Sequence, residues 1–371
     1  MLRFLTAGES HGPCLTAIVE GLPAGLSVRS EDIDRELRRR QGGFGRGARQ
    51  QIEHDTVKVL SGLWDGRTIG APLSLLIANR DHENWREREV PPWTKPRPGH
   101  ADLGGGKKYG LDDLRLVAER ASARGTAALV AVGALAKLLL AAVDITIGSY
   151  VEAIGGVRAE VGDLSLDERV ARALESDVSC PDPGASERMR RAIDRARDGG
   201  DSLGGVLVVV ANALPVGLGS YVHWDRRIDG RLAQAVMGIQ AIKGVEIGPA
   251  FENAGLPGSQ VQDPLYPGED GPVRRTNRAG GVEGGMTNGE PLVVRAAMKP
   301  IPTMVSPIPT VDLATGKATQ TEYQRSDVSA VPAASVVVEA MVAWVLADAL
   351  MERYGGDDVA TIQQRVRDDR T

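Results

Sequence analysis

Hydrophobic positions along this chain come in short bursts punctuated by glycine. The stretches "CLTAIVEGLP", "DTVKVLSGLWDG", "GAPLSLLIAN", "GGVLVVVANALPVG" and "GEPLVVRAAMKP" mix apolar–polar alternation with β-branched residues, and each predicts a short strand. Stretches of helical period lie between them. In "SEDIDRELRRR", residues 30–40, Ser30 is a candidate N-cap, acids fill the first turn, arginines fill the last, and Gly42 follows as a stop. Residues 112–143 predict one long helix or two, 186–200 a charged surface helix, 226–248 a helix running into a strand, and 333–356 a strongly apolar closing helix. The polar residues 357–371 predict a frayed tail. "GAPLSLLIA" (70–78) echoes "GEPLVVRAA" (289–297), which reads equally as two similar halves or as chance. No Pro/Ser-rich linker divides the chain, so a single α+β domain over residues 1–371 is expected.

Composition changes this picture little. The 371 residues are 42% hydrophobic, enough to bury a large core. A net charge of −5 and 4% aromatics argue against a nucleic acid partner, which would need a basic surface or stacking platforms. The 45 glycines call for many tight turns. Cys14 and Cys180 have no CxxC spacing, and no histidine–carboxylate spacing suits zinc or iron, so no metal site is expected. The apolar run 126–143 carries Lys137 and reads as a buried helix, so no membrane partner is expected. No long apolar segment follows a basic start, which points to a cytoplasmic protein.

Candidate chemistry gathers in a few stretches. "GESHGPC" (8–14) holds His11, open between packing, metal ligation and acid catalysis. "RELRRRQGGFGRGARQ" (35–50) is rich in arginine. Helix C-terminal complementation accounts for Arg35, Arg38 and Arg39. Arg40, Arg46 and Arg49 flank a glycine-rich loop, where guanidinium groups can close on a phosphate. "GGFGRG" follows a helix instead of a strand, so it is not a dinucleotide fingerprint. "KPRPGHAD" (95–102) sets His100 in a proline-stiffened loop beside Lys95 and Arg97. In "AERASARGTAA" (118–128), Arg120 and Arg124 are four apart and are expected on one helical face. "GGVEGGMTNGE" (280–290) and "KPIPTM" (299–304) offer turns that can bind anions. "QRSDVSAVPAAS" (324–335) alternates Arg325 and Asp327 on an extended segment. Histidines 54, 82 and 223 have no comparable setting, and "NRDHENWRERE" reads as a solvated loop.

The pieces "GESHGP" (8–13), "RRRQGGFGRG" (38–47), "RPGHAD" (97–102), "RASAR" (120–124), "QAIKGVEIG" (240–248), "GGMTNG" (284–289), "KPIPT" (299–303) and "RSD" (325–327) together resemble the chorismate synthases, in that family's order across nearly the whole chain. The resemblance implies a sandwich of antiparallel sheets flanked by helices, assembled as a homotetramer. It implies a shikimate-pathway enzyme that converts 5-enolpyruvylshikimate 3-phosphate into chorismate and phosphate by anti-1,4-elimination. Reduced FMN would assist without net redox, with NADPH as a possible reductant. His11 would protonate the departing phosphate, His100 would protonate the flavin's pyrimidine end, and Asp327 would take the proton relayed from C6 through the flavin's N5. Arg40, Arg46, Arg49, Arg97, Arg124 and Arg325 match the substrate-facing arginines, and Arg40 and Arg46 also match NADPH contacts. Flavin contacts would fall on Arg120, Ala121, Ser122, Gln240, Ala241, Gly284, Lys299, Pro300, Ile301, Pro302, Thr303 and Arg325. Gly125 stands where the family usually carries glutamate, which removes a carboxylate that could orient Arg124. Two other readings stand beside it: a flavin reductase using NAD(P)H and FMN, which would not need two histidines and six arginines, and a non-catalytic phosphate-binding or nucleic-acid-binding protein.

Overall fold

The computed structural model describes residues 1–47, 54–86, 90–269, 271–324 and 326–370. The predicted strands pair into two antiparallel sheets. The first contains β1 (Arg3–Ala7), β2 (Cys14–Glu20), β3 (Val57–Ser61) and β4 (Leu73–Ala78) in the order β1-β2-β4-β3. The second contains β5 (Thr146–Ile154), β6 (Val157–Arg158), β7 (Gly205–Asn212), β8 (Ile242–Ile247) and β9 (Leu292–Met298) in the order β8-β9-β7-β5-β6. The two segments that echo each other in sequence, β4 and β9, each occupy an interior position of a different sheet.

Alternation decides which face each sheet buries. In β2, Leu15, Ala17 and Val19 point into the core while Ile18 and Glu20 face out. In β7, Leu207, Val209 and Ala211 join the main core. Val208 and Val210 pack on the other face, against Ala173 and Val170 of the helix Leu166–Leu174. Between the sheets lie α1 (Ser30–Gln41), α2 (Thr126–Ala141) and α3 (Val331–Tyr354). The expected α+β sandwich of antiparallel sheets and helices is therefore present, with its helical layer at the centre and a further helix on the second sheet's outer face. Two helical stretches would meet the length and composition of a membrane crossing, but their apolar windows are 72% and 94% buried inside the protein.

Helices α2 and α3 cross at glycine. A Cβ on Gly133 would sit 2.3 Å from the Ala340 Cβ, so any side chain there would force the helices apart. Near this crossing Glu339 is fully buried, with Arg39 donating to both its oxygens at 2.7 and 2.9 Å and Ser149 donating at 2.7 Å. Burial would push the Glu339 carboxyl up, but Lys137 and Arg39 outweigh it and hold it at about 2. Arg39 is thus a structural cation, as the sequence pattern suggested.

Three expectations need correcting. Ser30 is the first helical residue of α1, not its cap; Arg29 takes the N-cap position, and its guanidinium bonds the Asp32 carboxylate at 3.0 Å. The tail is not frayed. Residues Val359–Arg370 form a helix whose Val359, Ile362 and Val366 recur at helical spacing and are buried against the core. Of the two arrangements expected for residues 112–143 the second forms, with helices Arg115–Ala121 and α2 separated at Ser122 by extended backbone, and it is the expected shared face that fails. Arg120 and Arg124 therefore do not share one helical face.

Gly133→Val should destabilise the protein by about 1–3 kcal/mol or more through overpacking. Gly104→Ala, in the helix Asp102–Tyr109 with nothing within 4 Å of the added methyl, should be neutral or stabilising. Denaturant midpoints check both, and a neutral Gly133→Val would contradict the close crossing.

Candidate active site

One cavity of about 1310 Å³ is walled by the loops that join these layers. Its deepest charges are placed by α1. Ile33, Leu37 and Arg40 fall at helical spacing on one face, so the stripe that buries two aliphatic side chains also carries a guanidinium inward. Arg40 is 4% exposed; it donates to Thr126 Oγ1 at 2.8 Å, to the Ala123 carbonyl at 3.0 Å and to Asp55 at 3.5 Å. Burial, reinforced by the neighbouring Arg46 and Arg124, pushes it down to about 10, which leaves it charged at neutral pH.

Arg124 reaches the same point from another element. The break at Ser122, whose side chain accepts from the Arg124 amide, starts a 3-10 turn that directs Arg124 inward. Its Nη1 donates to both oxygens of the fully buried Asp55 carboxylate at 2.6 and 2.8 Å, and its Nε donates to Asn79 Oδ1 at 2.8 Å. The glutamate absent at position 125 is thus not needed to orient Arg124, because Asp55 and Asn79 hold it. Arg120 remains outside and donates to the carbonyls of Thr6 and Gly8 at 3.0 and 3.3 Å.

Two imidazoles line the cavity, each against a carboxylate. His11 lies in the β1–β2 loop, where Gly8 adopts a φ of +109° and a Cβ would strike the Cys14 carbonyl at 2.4 Å. Its Nδ1 is 2.6 Å from Glu119 Oε1, and its backbone N–H donates to Glu119 Oε2 at 2.7 Å. The Trp85 ring packs on it, with centroids 4.3 Å apart. His100 follows the left-handed Gly99, and its Nδ1 is 2.5 Å from Asp102 Oδ1. Asp102 is fully buried, which would raise its pKa. The hydrogen bonds from His100 and Arg97 outweigh burial and hold it well below the usual carboxylate range. Arg97 also stacks on Trp93, 4.4 Å from its ring centroid.

Asp327 completes the set. Arg46 Nη1 and the Gly47 amide each donate to it at 2.6 Å. The glycine-rich loop makes this possible, since a Cβ on Gly47 would meet the Ser326 carbonyl at 2.7 Å. Lys299 lies on the wall beside Gly99; burial lowers its pKa, and nearby Lys243 adds to the effect. Ala121, Ser122, Gln240, Ala241, Ile301, Pro302 and Thr303 also reach the wall. Pro300 does not, and neither does Gly284, which sits on the Val282–Thr287 hairpin, where the adjacent Gly285 packs on Arg227. Arg49 and Arg325 lie outside the described residues.

Several side chains here carried no sequence signal. Asp55 and Glu119 sit among other charges with no diagnostic spacing. Asp102 was legible only as the residue two after His100. The 80–84 stretch is not a solvated loop: it forms a 3-10 turn in which Asp81 is buried, and the His82 ring nitrogen bonds the His11 carbonyl at 2.8 Å. Among the described residues, no group of three or more His, Cys, Asp or Glu side chains is gathered as a metal ion would require.

Guanidinium groups and an amine on such a wall can hold a small anion, and imidazoles paired with carboxylates can exchange protons with it. Comparison with known proteins names the class. The chorismate synthase family pattern matches residues 2–351. The chorismate synthase of Desulforamulus reducens is 55% identical over 380 residues, covering 99% of this chain and 97% of that protein. That of Moorella thermoacetica is 55% identical over 375 residues with the same coverage. A crystal structure of a chorismate synthase superposes with a TM-score of 0.83 at 47% identity, covering 100% of this chain and 97% of that one. The chain belongs to the chorismate synthase family, carbon–oxygen lyases of aromatic amino acid biosynthesis.

Asp55→Asn should lower stability by about 3–5 kcal/mol, because it leaves two buried guanidinium groups short of a countercharge. Gly125→Ala should cost nothing and can add up to about 1 kcal/mol. Chemical denaturation separates the two, and an unchanged Asp55→Asn protein would contradict the clamp.

Proposed function

We propose that this chain, acting as one unit over residues 1–371, converts 5-enolpyruvylshikimate 3-phosphate into chorismate and phosphate by anti-1,4-elimination. It would do so in the cytoplasm, in the shikimate pathway and as a homotetramer. The observation that carries this reading is the convergence of His11, His100, Asp327 and the Asp55-held arginines on one cavity. The substrate is a polyanion bearing a phosphate and carboxylates, and buried guanidinium groups on fixed partners suit such charge.

The wall also fits a flavin. The cavity is large enough for cofactor and substrate together. Two buried donors on it, Arg46 Nε and Trp93 Nε1, have no acceptor among the described residues. Ala121, Ser122, Gln240, Ala241, Lys299, Ile301, Pro302 and Thr303 would hold it. Reduced FMN held there would supply transient electron density for breaking the C3–O bond, with no net redox. Arg46 and Arg40 are the proposed contacts for NADPH as a reductant.

The chain's own residues handle charge and protons. Arg40 and Arg124 keep their charge pointed at the cavity without rearranging, which favours the phosphate dianion as it forms. His11 holds a proton for the departing phosphate. His100, fixed by Asp102 in a loop that lies against Lys299 and Pro302, holds a proton on the cofactor side. Asp327 is the final acceptor of the proton that originates at C6, on the Oδ2 that Arg46 holds, while the Gly47 amide steadies Oδ1. General acid–base steps of this kind are each worth about 10²–10⁴ in rate.

Purified protein given the shikimate phosphate and photoreduced FMN without oxygen should release inorganic phosphate. His11→Ala and His100→Ala should each lower turnover at least about tenfold while FMN still binds. Bound flavin with no phosphate release would sink the elimination, and full turnover in either variant would remove that histidine from it.

A further inference from the structure

A histidine can hand over only the proton that its surroundings place on the outward nitrogen. The carboxylate of Glu119 meets His11 in a geometry that bears on this. Glu119 belongs to the helix Arg115–Ala121, 108 positions away in sequence, and it meets His11 twice. Oε2 accepts the backbone N–H at 2.7 Å, and Oε1 lies 2.6 Å from Nδ1. The first contact fixes which way the carboxylate turns, and the second then requires a hydrogen on Nδ1, because a carboxylate only accepts.

The β1–β2 loop does not need this carboxylate to keep its shape. The Ser10 amide donates to the Glu119 backbone carbonyl at 3.1 Å, a bond that no side-chain change removes. Asn79 donates to the carbonyls of Glu9 and Gly12 at 3.0 and 2.7 Å. Ser122 Oγ bonds Ser10 Oγ at 3.2 Å, and His82 reaches the His11 carbonyl. The Glu119 side chain thus reaches both the ring and the loop backbone, and the loop has further fastenings of its own.

We infer that Glu119 is a positioning residue: it keeps a hydrogen on Nδ1 of His11, so that the proton the imidazolium donates is the one on Nε2 and the ring is left as the neutral Nδ1–H form. The inference rests on the elimination reading, in which His11 is the acid. Glu119 itself touches no reacting atom in this scheme. Carboxylate–imidazole pairing through Nδ1 is a general way of selecting the tautomer that leaves Nε2 for chemistry.

Glu119→Gln tests this with almost no change in volume. The glutamine oxygen must serve the His11 backbone N–H, which has no alternative hydrogen to lose. Its NH₂ then faces Nδ1 and demands a lone pair there. The neutral ring should therefore switch from hydrogen on Nδ1 to hydrogen on Nε2. Full-length protein labelled with ¹⁵N-histidine, with the His11 signals assigned by their loss in His11→Gln, should show the Nδ1–H form in the wild type and the Nε2–H form in Glu119→Gln. Turnover of the shikimate phosphate with reduced FMN should fall at least about tenfold in kcat, with KM within about threefold. Glu119→Asp, which keeps the charge but cannot span both donors, should recover part of kcat and the wild-type tautomer. Wild-type kcat in Glu119→Gln would overturn the inference. An unchanged tautomer would overturn it too, even with activity lost, and would mark a merely structural role. A wild-type protein that releases no phosphate would count against the elimination reading alone, because the tautomer comparison is read without turnover.

Discussion

The Asp55–Arg124 pair at the floor of the cavity is the interaction on which the rest of the site depends. It is bidentate, fully buried and shared with Arg40. A buried ion pair of this kind contributes little net stability, since desolvation offsets most of the attraction. Its effect is geometric. One carboxylate holds two guanidinium groups whose charge it only half neutralises. Asn79 accepts from Arg124 and donates to the loop of His11, so the same polar cluster that fixes the cations also fixes the first imidazole.

The fold explains why such a cluster can exist. Arg40 arrives on the buried stripe of α1, which Arg39 anchors to Glu339 of α3 in the central layer. Arg124 arrives from the break before α2, and Asp55 from the segment leading into β3. Elements from both sheets and the layer between them therefore converge on one cavity. Its deep charges are set by packed helices, while its imidazoles and Asp327 lie on loops. Those loops are stiffened by carboxylates, by glycine at close backbone approaches and by prolines.

Much of this was legible in the sequence. Glycine-bounded apolar bursts marked the strands, and His11, His100, Arg40, Arg46, Arg97 and Arg124, singled out in glycine-rich, proline-rich or small-residue stretches, line one cavity. What escaped had physical reasons. Val359, Ile362 and Val366 are too sparse in a polar segment to reveal a helix that packs on the core. The kink at Ser122 depends on a side-chain cap that propensity does not report, so two arginines that should share a face ended on opposite sides of the wall. Asp55 and Glu119 act through partners up to 108 positions away, and a lone carboxylate has no pattern; Asp102 stands beside His100 and Arg97 in sequence, but its burial left no mark there. The usual glutamate's absence at Gly125 looked like a loss only because Asp55 could not be seen from the sequence.

The cationic floor is held in place before any ligand arrives, and a crystal structure with the shikimate phosphate bound would show whether it stays there. The account predicts the phosphate within hydrogen-bond distance of the His11 imidazole, with Arg124 still bidentate on Asp55 and displaced by less than about 0.5 Å, the tolerance expected of a preorganised site. A phosphate bound away from His11, or an Arg124 that leaves Asp55 to reach it, would contradict the account.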